Sequence, residues 1–280
     1  GSLITPKLLM LSGIGNEKDL KKHNIECKTN LPGVGENLID HPEVPIIAKA
    51  NGSYGYYKQG EGWRMLKNGL QFLLFGTGPV NSTGVEAGAF VNPFNLKALP
   101  QIQVFFLSNM YMNSDTIGKI NEDYGMSLTT VVTKPKSRGN VKLNSNNPDD
   151  PPLINLNLLK HKDDMAMMIA GQRFFIDAFR KGPLGKKVKE IILPNPSKLD
   201  DLALEKHCKK YVRTDYHPSG TAKMGADNDK LAVLDSKMRV RGINNLRVCD
   251  LSAVPNINSG NTSAPAMMLG LRCGDLILDY

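Results

Sequence analysis

The chain has 280 residues, 41% hydrophobic and 22% charged, a globular composition that excludes a disordered chain. No apolar run approaches the roughly 18 residues of a membrane span, and 26 glycines with 17 prolines exclude a helical bundle or coiled coil. The net charge of +8 is scattered (Lys18, Lys21 and Lys22; Lys134, Lys136 and Arg138; Lys186, Lys187 and Lys189) without interleaved aromatics, so no nucleic-acid partner is expected.

Thr5-Pro6 ahead of Leu8, Leu9 and Met10 predicts a helix capped by Thr5, with Pro6 at the first helical position and Gly13 and Gly15 closing it. Residues 16–23 predict a second short helix, then 44–50 and 101–108 two strands. Between these strands, 51–92 mixes glycines and aromatics with one apolar run, Leu70 to Phe75. Residues 127–133 and 140–143 predict a strand pair around the turn Pro135-Lys136-Ser137-Arg138-Gly139, ahead of a polar loop over 144–152. Helices are expected over 163–180, which carries an apolar face, and over 202–213, which is amphipathic and rich in lysine. After Asp215, Gly, Pro, Ser and Asn punctuate short apolar strands, and a last helix occupies residues 264–278. Long loops and few short crossovers argue against a doubly wound sheet. The expected class is α+β, an antiparallel substrate-binding sheet flanked by helices.

Cys27, Cys208, Cys249 and Cys273 lie far apart without C-x-x-C, which leaves buried thiols and one or two disulfides both open. Asn51-Gly52-Ser53 and Asn81-Ser82-Thr83 fit the glycosylation pattern. Gly13-Ile14-Gly15 and Gly33-Val34-Gly35 begin like a dinucleotide fingerprint, but Lys18 and Leu38 stand where the third glycine belongs, so both read as turns. His23, His161 and His207 read as surface residues, His41 sits in a crowded polar turn, and no ligand spacing suits a metal.

His217 differs. It lies in Tyr216-His217-Pro218-Ser219-Gly220-Thr221-Ala222-Lys223-Met224-Gly225, a loop whose small residues leave room around an imidazole, the side chain best matched to proton transfer near neutral pH. A structural loop histidine fits the same residues. Downstream, Leu246 to Asp250 ends a strand in an acid, and Asn258-Ser259-Gly260-Asn261-Thr262-Ser263-Ala264-Pro265 leads into the last helix with Ser263 as a cap. This is either a capped helix start or a positive terminus for an anion or electron-rich ring.

These segments together resemble the glucose–methanol–choline (GMC) flavin oxidoreductases. Gly1 to Gly15 is similar to the second signature of that family, and Leu31 to Pro42 to its LPGVGxNLxDHP segment, with Ile39 where Gln is common. Gly76 to Pro79, Gly84 to Val91, Pro135 to Leu143, His217 to Gly225 and Arg247 to Asp279 continue the likeness, whose nearest look is to insect glucose dehydrogenase-like members. The resemblance implies an FAD-dependent enzyme that oxidises a CH–OH group of an alcohol or sugar and passes electrons to a quinone or oxygen. His217 matches the catalytic base that takes the hydroxyl proton while hydride leaves for the flavin, and Asn261 matches its partner. Tyr216, Asp250, Leu251, Thr262 and Ser263 fall where that family lines the cofactor.

By the same likeness, residues 1–42 are a segment of the FAD-binding domain, 43–212 the substrate-binding domain, and 213–280 a return to the FAD-binding domain that carries the catalytic pair. The adenine-binding G-x-G-x-x-G unit belongs upstream, and the sequence opens inside a motif without Met, so a partial sequence of a longer enzyme is expected. The segments that pack on the upstream portion are expected to expose apolar surface here. The alternatives are a truncated, non-catalytic binding module of the same fold and a lyase that keeps FAD without redox use. The likeness and the two glycosylation patterns give an expectation of secretion.

Overall fold

The computed structural model describes residues 1–111 and 123–278; residues 112–122 and 279–280 of the spans expected above lie outside the described residues. In chain order the elements are α1 (Thr5–Leu11), β1 (Ile14–Gly15), α2 (Glu17–Lys22), β2 (Thr29–Asn30), β3 (Pro42–Ala50), α3 (Gly62–Phe75), β4 (Ala87–Val91), β5 (Ile102–Leu107) and β6 (Gly125–Val132). There follow β7 (Asn140–Lys142), β8 (Leu153–Asn155), α4 (Lys162–Arg180), α5 (Gly182–Gly185), β9 (Val188–Leu193), α6 (Asp201–Tyr211), β10 (Arg213–Thr214) and α7 (Ser263–Ile277). The mixed helix and antiparallel-sheet class expected from the sequence is the one observed.

The chain divides into two compact units. One comprises Gly1–Pro42, Thr133–His161 and Thr214–Tyr280; the other comprises Glu43–Val132 and Lys162–Arg213. Residues 133–161, inside the 43–212 stretch expected as the substrate-binding domain, group with the first unit. The cause is local: Leu38 bridges Gly139, and Val141 N–H donates to Gly35 O at 2.7 Å. Gly35 takes φ +81°, and a Cβ there would lie 2.1 Å from Val141 O, so this glycine serves a close backbone approach.

In the first unit, α1, α2 and the loops after Thr221 enclose a core of Met10, Leu20, Val34, Val233, Leu234 and Val248. Asn16 caps α2 by accepting from Lys18 N–H and Asp19 N–H. Thr5 is not a cap: it is the first residue of α1, and its hydroxyl donates to Asp250 Oδ2 at 2.7 Å. The expected pairing of 127–133 with 140–143 is also corrected, because β7 pairs with β8 whereas β6 lies between β3 and β5. The short strands expected after Asp215 are isolated bridges, such as Leu234 with Val240, within hydrogen-bonded turns. Of the open cysteine alternatives, Cys249–Cys273 is a disulfide tying α7 to the turns before it, while Cys27 and the buried Cys208 are free thiols. Leu8 and Leu271 are exposed at 64% and 72%, so apolar side chains do face outward on α1 and α7.

In the second unit, β3 is the centre of an antiparallel sheet: β9 and β6 flank it, then β5, with β4 at the edge. Val44, Ile46, Ile47 and Ala48 are fully buried in succession, so this strand reads as an apolar run rather than an alternation. Helix α4 lays Met168, Gln172, Phe175, Ile176 and Phe179 into the core. Gln172 Nε2 donates to Val44 O at 3.0 Å and to Thr130 Oγ1 at 2.6 Å, meeting the polar demand of that buried face. Helix α3 turns Asn68 inward onto Gln59 and leaves Leu66, Leu70 and Leu73 exposed.

His207 on α6 is a further correction. It is buried, not on the surface, with Nε2–H donating to Pro45 O at 3.1 Å and its ring 4.9 Å from that of Tyr211. Burial pushes its pKa down to about 4, so it is a neutral core group at physiological pH.

Candidate active site

The site lies in the first unit and is built by long-range hydrogen bonds rather than by regular structure. Asp40 precedes β3 and is buried; it accepts the Thr214 hydroxyl through Oδ2 and the His217 backbone N–H through Oδ1 at 3.0 Å. Tyr216 N–H donates to Thr214 Oγ1 at 2.9 Å, and Asp215 N–H to His41 O at 3.0 Å. Ser219 and Ile39 exchange backbone bonds at 2.8 and 2.9 Å, which completes the splice between the two segments. Gly220 sits at φ +88°, and a Cβ there would lie 2.7 Å from Asn37 O, so only glycine lets these backbones meet. Burial pushes the Asp40 carboxyl up from its usual range, against the hydrogen bonds that hold it ionised.

Tyr216 takes φ +62°, a left-handed turn costing about 1 kcal/mol that the surrounding bonds offset. Tyr216 is 64% exposed, while His217 is half-buried. Two consecutive residues at the start of α7 contact the imidazole. Asn261 Nδ2 is 3.1 Å from His217 Nε2, and Thr262 Oγ1 is 3.0 Å from His217 Nδ1. The loop that presents them is held by Asn258, whose side-chain amide donates to Gly260 O at 2.7 Å and to Asn261 O at 3.1 Å. His41 stands edge-on to His217 with ring centroids 5.8 Å apart, and its Nε2 is 3.3 Å from Gly260 O. An Asp215 carboxylate oxygen lies 3.7 Å from His217 Nε2. Desolvation lowers the pKa of His217, which keeps the ring neutral at pH 7 and able to accept a proton.

Residues 135–270 match one GMC oxidoreductase family profile and residues 1–43 match another. The chain belongs to the GMC oxidoreductase family. Among its GMC relatives, the alcohol dehydrogenase (acceptor) of Pseudomonas putida is 35% identical over 282 residues, covering 99% of this chain and 50% of the relative. The oxygen-dependent choline dehydrogenase of Brucella anthropi is 35% identical over 277 residues with the same coverage. The formate oxidase of Aspergillus oryzae RIB40, in which FAD modification has been followed, superposes with a TM-score of 0.88 at 28% identity, over 100% of this chain and 53% of that one. The chain thus spans about half the length of the curated relatives it matches.

Within this GMC chain the seven residues singled out in the sequence have different surroundings. His217, Asn261 and Thr262 touch one another. Asp250 sits at the other end of the segment and is engaged by Thr5, by Ser252 N–H at 2.7 Å and by Ser252 Oγ–H at 2.5 Å. Leu251 contributes its carbonyl, which accepts Gly220 N–H at 2.8 Å. Ser263 and Tyr216 are exposed. Ser263 is the first residue of α7 rather than its cap; Thr262 holds the cap position, without a side-chain capping bond. Helix α7 begins at Ser263, one residue after the Thr262 side chain that contacts His217, and N–H donors of a helix N-terminus suit the electron-rich edge of an FAD ring. Sequence reasoning missed Asp40, Thr214 and Asp215 as parts of the site. The adjacency of Asp40 and His41 within the matched segment was the only trace of them.

Proposed function

We propose that this chain is the C-terminal part of an FAD-dependent oxidoreductase that oxidises a CH–OH group of an alcohol or sugar to a carbonyl. The observation that carries this is His217, a neutral imidazole with Nε2 at 3.1 Å from the Asn261 amide and a pKa lowered by burial. Nε2 takes the hydroxyl proton of the substrate. Asn261 then donates to the oxygen as negative charge develops on it, and so orients the alcohol. The imidazolium formed at Nε2 lies 3.7 Å from the Asp215 carboxylate, which opposes its charge. FAD, when bound, supplies the two-electron acceptor for the hydride on the adjacent carbon. Tyr216, Leu251, Thr262 and Ser263 would lie beside its ring, and Asp250, held by Thr5 and Ser252, braces that segment. Reoxidation is assigned to oxygen or a quinone, in keeping with an acceptor-dependent and an oxygen-dependent relative.

The experiment is a His217→Ala substitution in the holoenzyme that carries this chain. The variant is expected to bind FAD and to lose alcohol-dependent flavin reduction by about 10²–10⁴-fold, the usual worth of a positioned base. Reduction at the wild-type rate would remove His217 from the reaction.

A further inference from the structure

We propose that Thr262 is a positioning residue that holds the proton of neutral His217 on Nδ1 and leaves Nε2 as the accepting nitrogen. This rests on the reading of His217 as the base. A neutral imidazole carries a single N–H, and the partner of each nitrogen decides which one bears it. At Nε2 the partner is Asn261 Nδ2, which only donates. A proton on Nε2 would set two N–H groups against each other at 3.1 Å. At Nδ1 the partner is a hydroxyl oxygen at 3.0 Å, which accepts Nδ1–H.

A second observation points the same way. Thr at a helix N-cap ordinarily turns its hydroxyl onto an N–H of the first turn. Thr262 occupies that position on α7, is only 4% exposed, and makes no such bond. Its hydroxyl faces His217 instead, so the helix start forgoes a cap while the imidazole gains an acceptor. The other ionisable groups facing the ring are Asp215, at 3.7 Å from Nε2, and His41, edge-on at a centroid distance of 5.8 Å; Asp40 reaches His217 through the backbone N–H. The Asp215 carboxylate favours a proton on Nε2, the tautomer that cannot accept one from substrate. Thr262 therefore works against Asp215 until the substrate proton arrives, and Asp215 then neutralises the imidazolium.

The test uses nitrogen-15 NMR of the His217 ring in the holoenzyme together with the pH profile of flavin reduction. The wild type is expected to carry its proton on Nδ1. Thr262→Val removes the Nδ1 acceptor while Asp215 still draws a proton to Nε2 against the Asn261 amide, so it should raise the share of Nε2–H and slow flavin reduction about 10–100-fold with little change in KM, the range found for residues that orient metal-bound histidines. Thr262→Ser should restore both readouts. A proton found on Nε2 in the wild type overturns the proposal, and this measurement needs no variant to fold. An unchanged tautomer in Thr262→Val, or a serine variant that behaves like valine, overturns it as well. A tautomer shift in Thr262→Val alongside a fully active His217→Ala would instead refute the base assignment and leave the hold of Thr262 on the ring intact.

Discussion

The sheet unit and the segment from Thr214 to Thr262 satisfy their polar groups in opposite ways. Around β3 the backbone is paired by ladders on both sides, and the side chains Val44, Ile46 and Ile47 have only to be apolar and of the right volume. Around His217 backbone pairing is reduced to short pieces such as the Ile39–Ser219 bridge, and single side chains do most of the work: Asp40 holds a backbone N–H 177 residues away, and Asn37 Nδ2 donates to Gly220 O at 3.1 Å. A pattern-built region distributes its free energy over many weak contacts. The site concentrates position in a few bonds, so a change of one atom there alters chemistry more than stability.

The largest expected break in this comparison is Phe179→Ala. Phe179 is 1% exposed on α4, and its truncation should cost about 4 kcal/mol in chemical denaturation through lost burial and the cavity left behind. The His217 ring signals should keep their wild-type positions below the unfolding transition. Signals that move with Phe179→Ala would mean that the site depends on the sheet core, and the contrast drawn above would be wrong.

Acid sharpens the contrast next, through His207. Its pKa is about 4 in the folded protein against 6.5 for the free side chain, so the unfolded state binds more protons between those values. Stability is therefore fully present above about pH 6.5 and is lost as the pH falls toward 4, by on the order of 3 kcal/mol in all. His207→Gln, which can still donate to Pro45 O, should flatten the slope of stability against pH in this window. An equally steep slope in that variant would assign the acid sensitivity to other groups.

The same division decides what was legible in the sequence. The apolar run of β3 and the periodic face of α4 announce themselves, and α4 was expected over 163–180 against Lys162–Arg180 observed. Local turn chemistry misled where tertiary pairing overrode it: Pro135 to Gly139 looks like a hairpin turn, yet the strands on either side go to different partners. His217 could be read from its loop, and Asn261 from family likeness. The bonds that bring these candidate residues together leave no period, since Thr262 meets a ring 45 residues away and Thr214 a carboxylate 174 residues away. His207 was misread because lysines surround it in sequence while its own face of α6 is buried beside Leu204 and Cys208.

The smallest expected effect separates local from long-range roles at a single threonine. A Thr ahead of Pro at a helix start is read as a cap, and a cap bond and a tertiary hydrogen bond are each worth about 1 kcal/mol, so the loss on Thr5→Val cannot tell them apart. A double-mutant cycle can. Thr5 Oγ1–H donates to Asp250 Oδ2 at 2.7 Å, while Asp250 also receives Ser252 N–H and Ser252 Oγ–H through Oδ1. Thr5→Val and Asp250→Ala, each measured alone and then together, should give a coupling of about 1 kcal/mol. A purely local cap would make the two losses add without coupling. Coupling would place Thr5 among the residues that fix the segment after Asp250, where Leu251 O accepts Gly220 N–H three residues beyond His217.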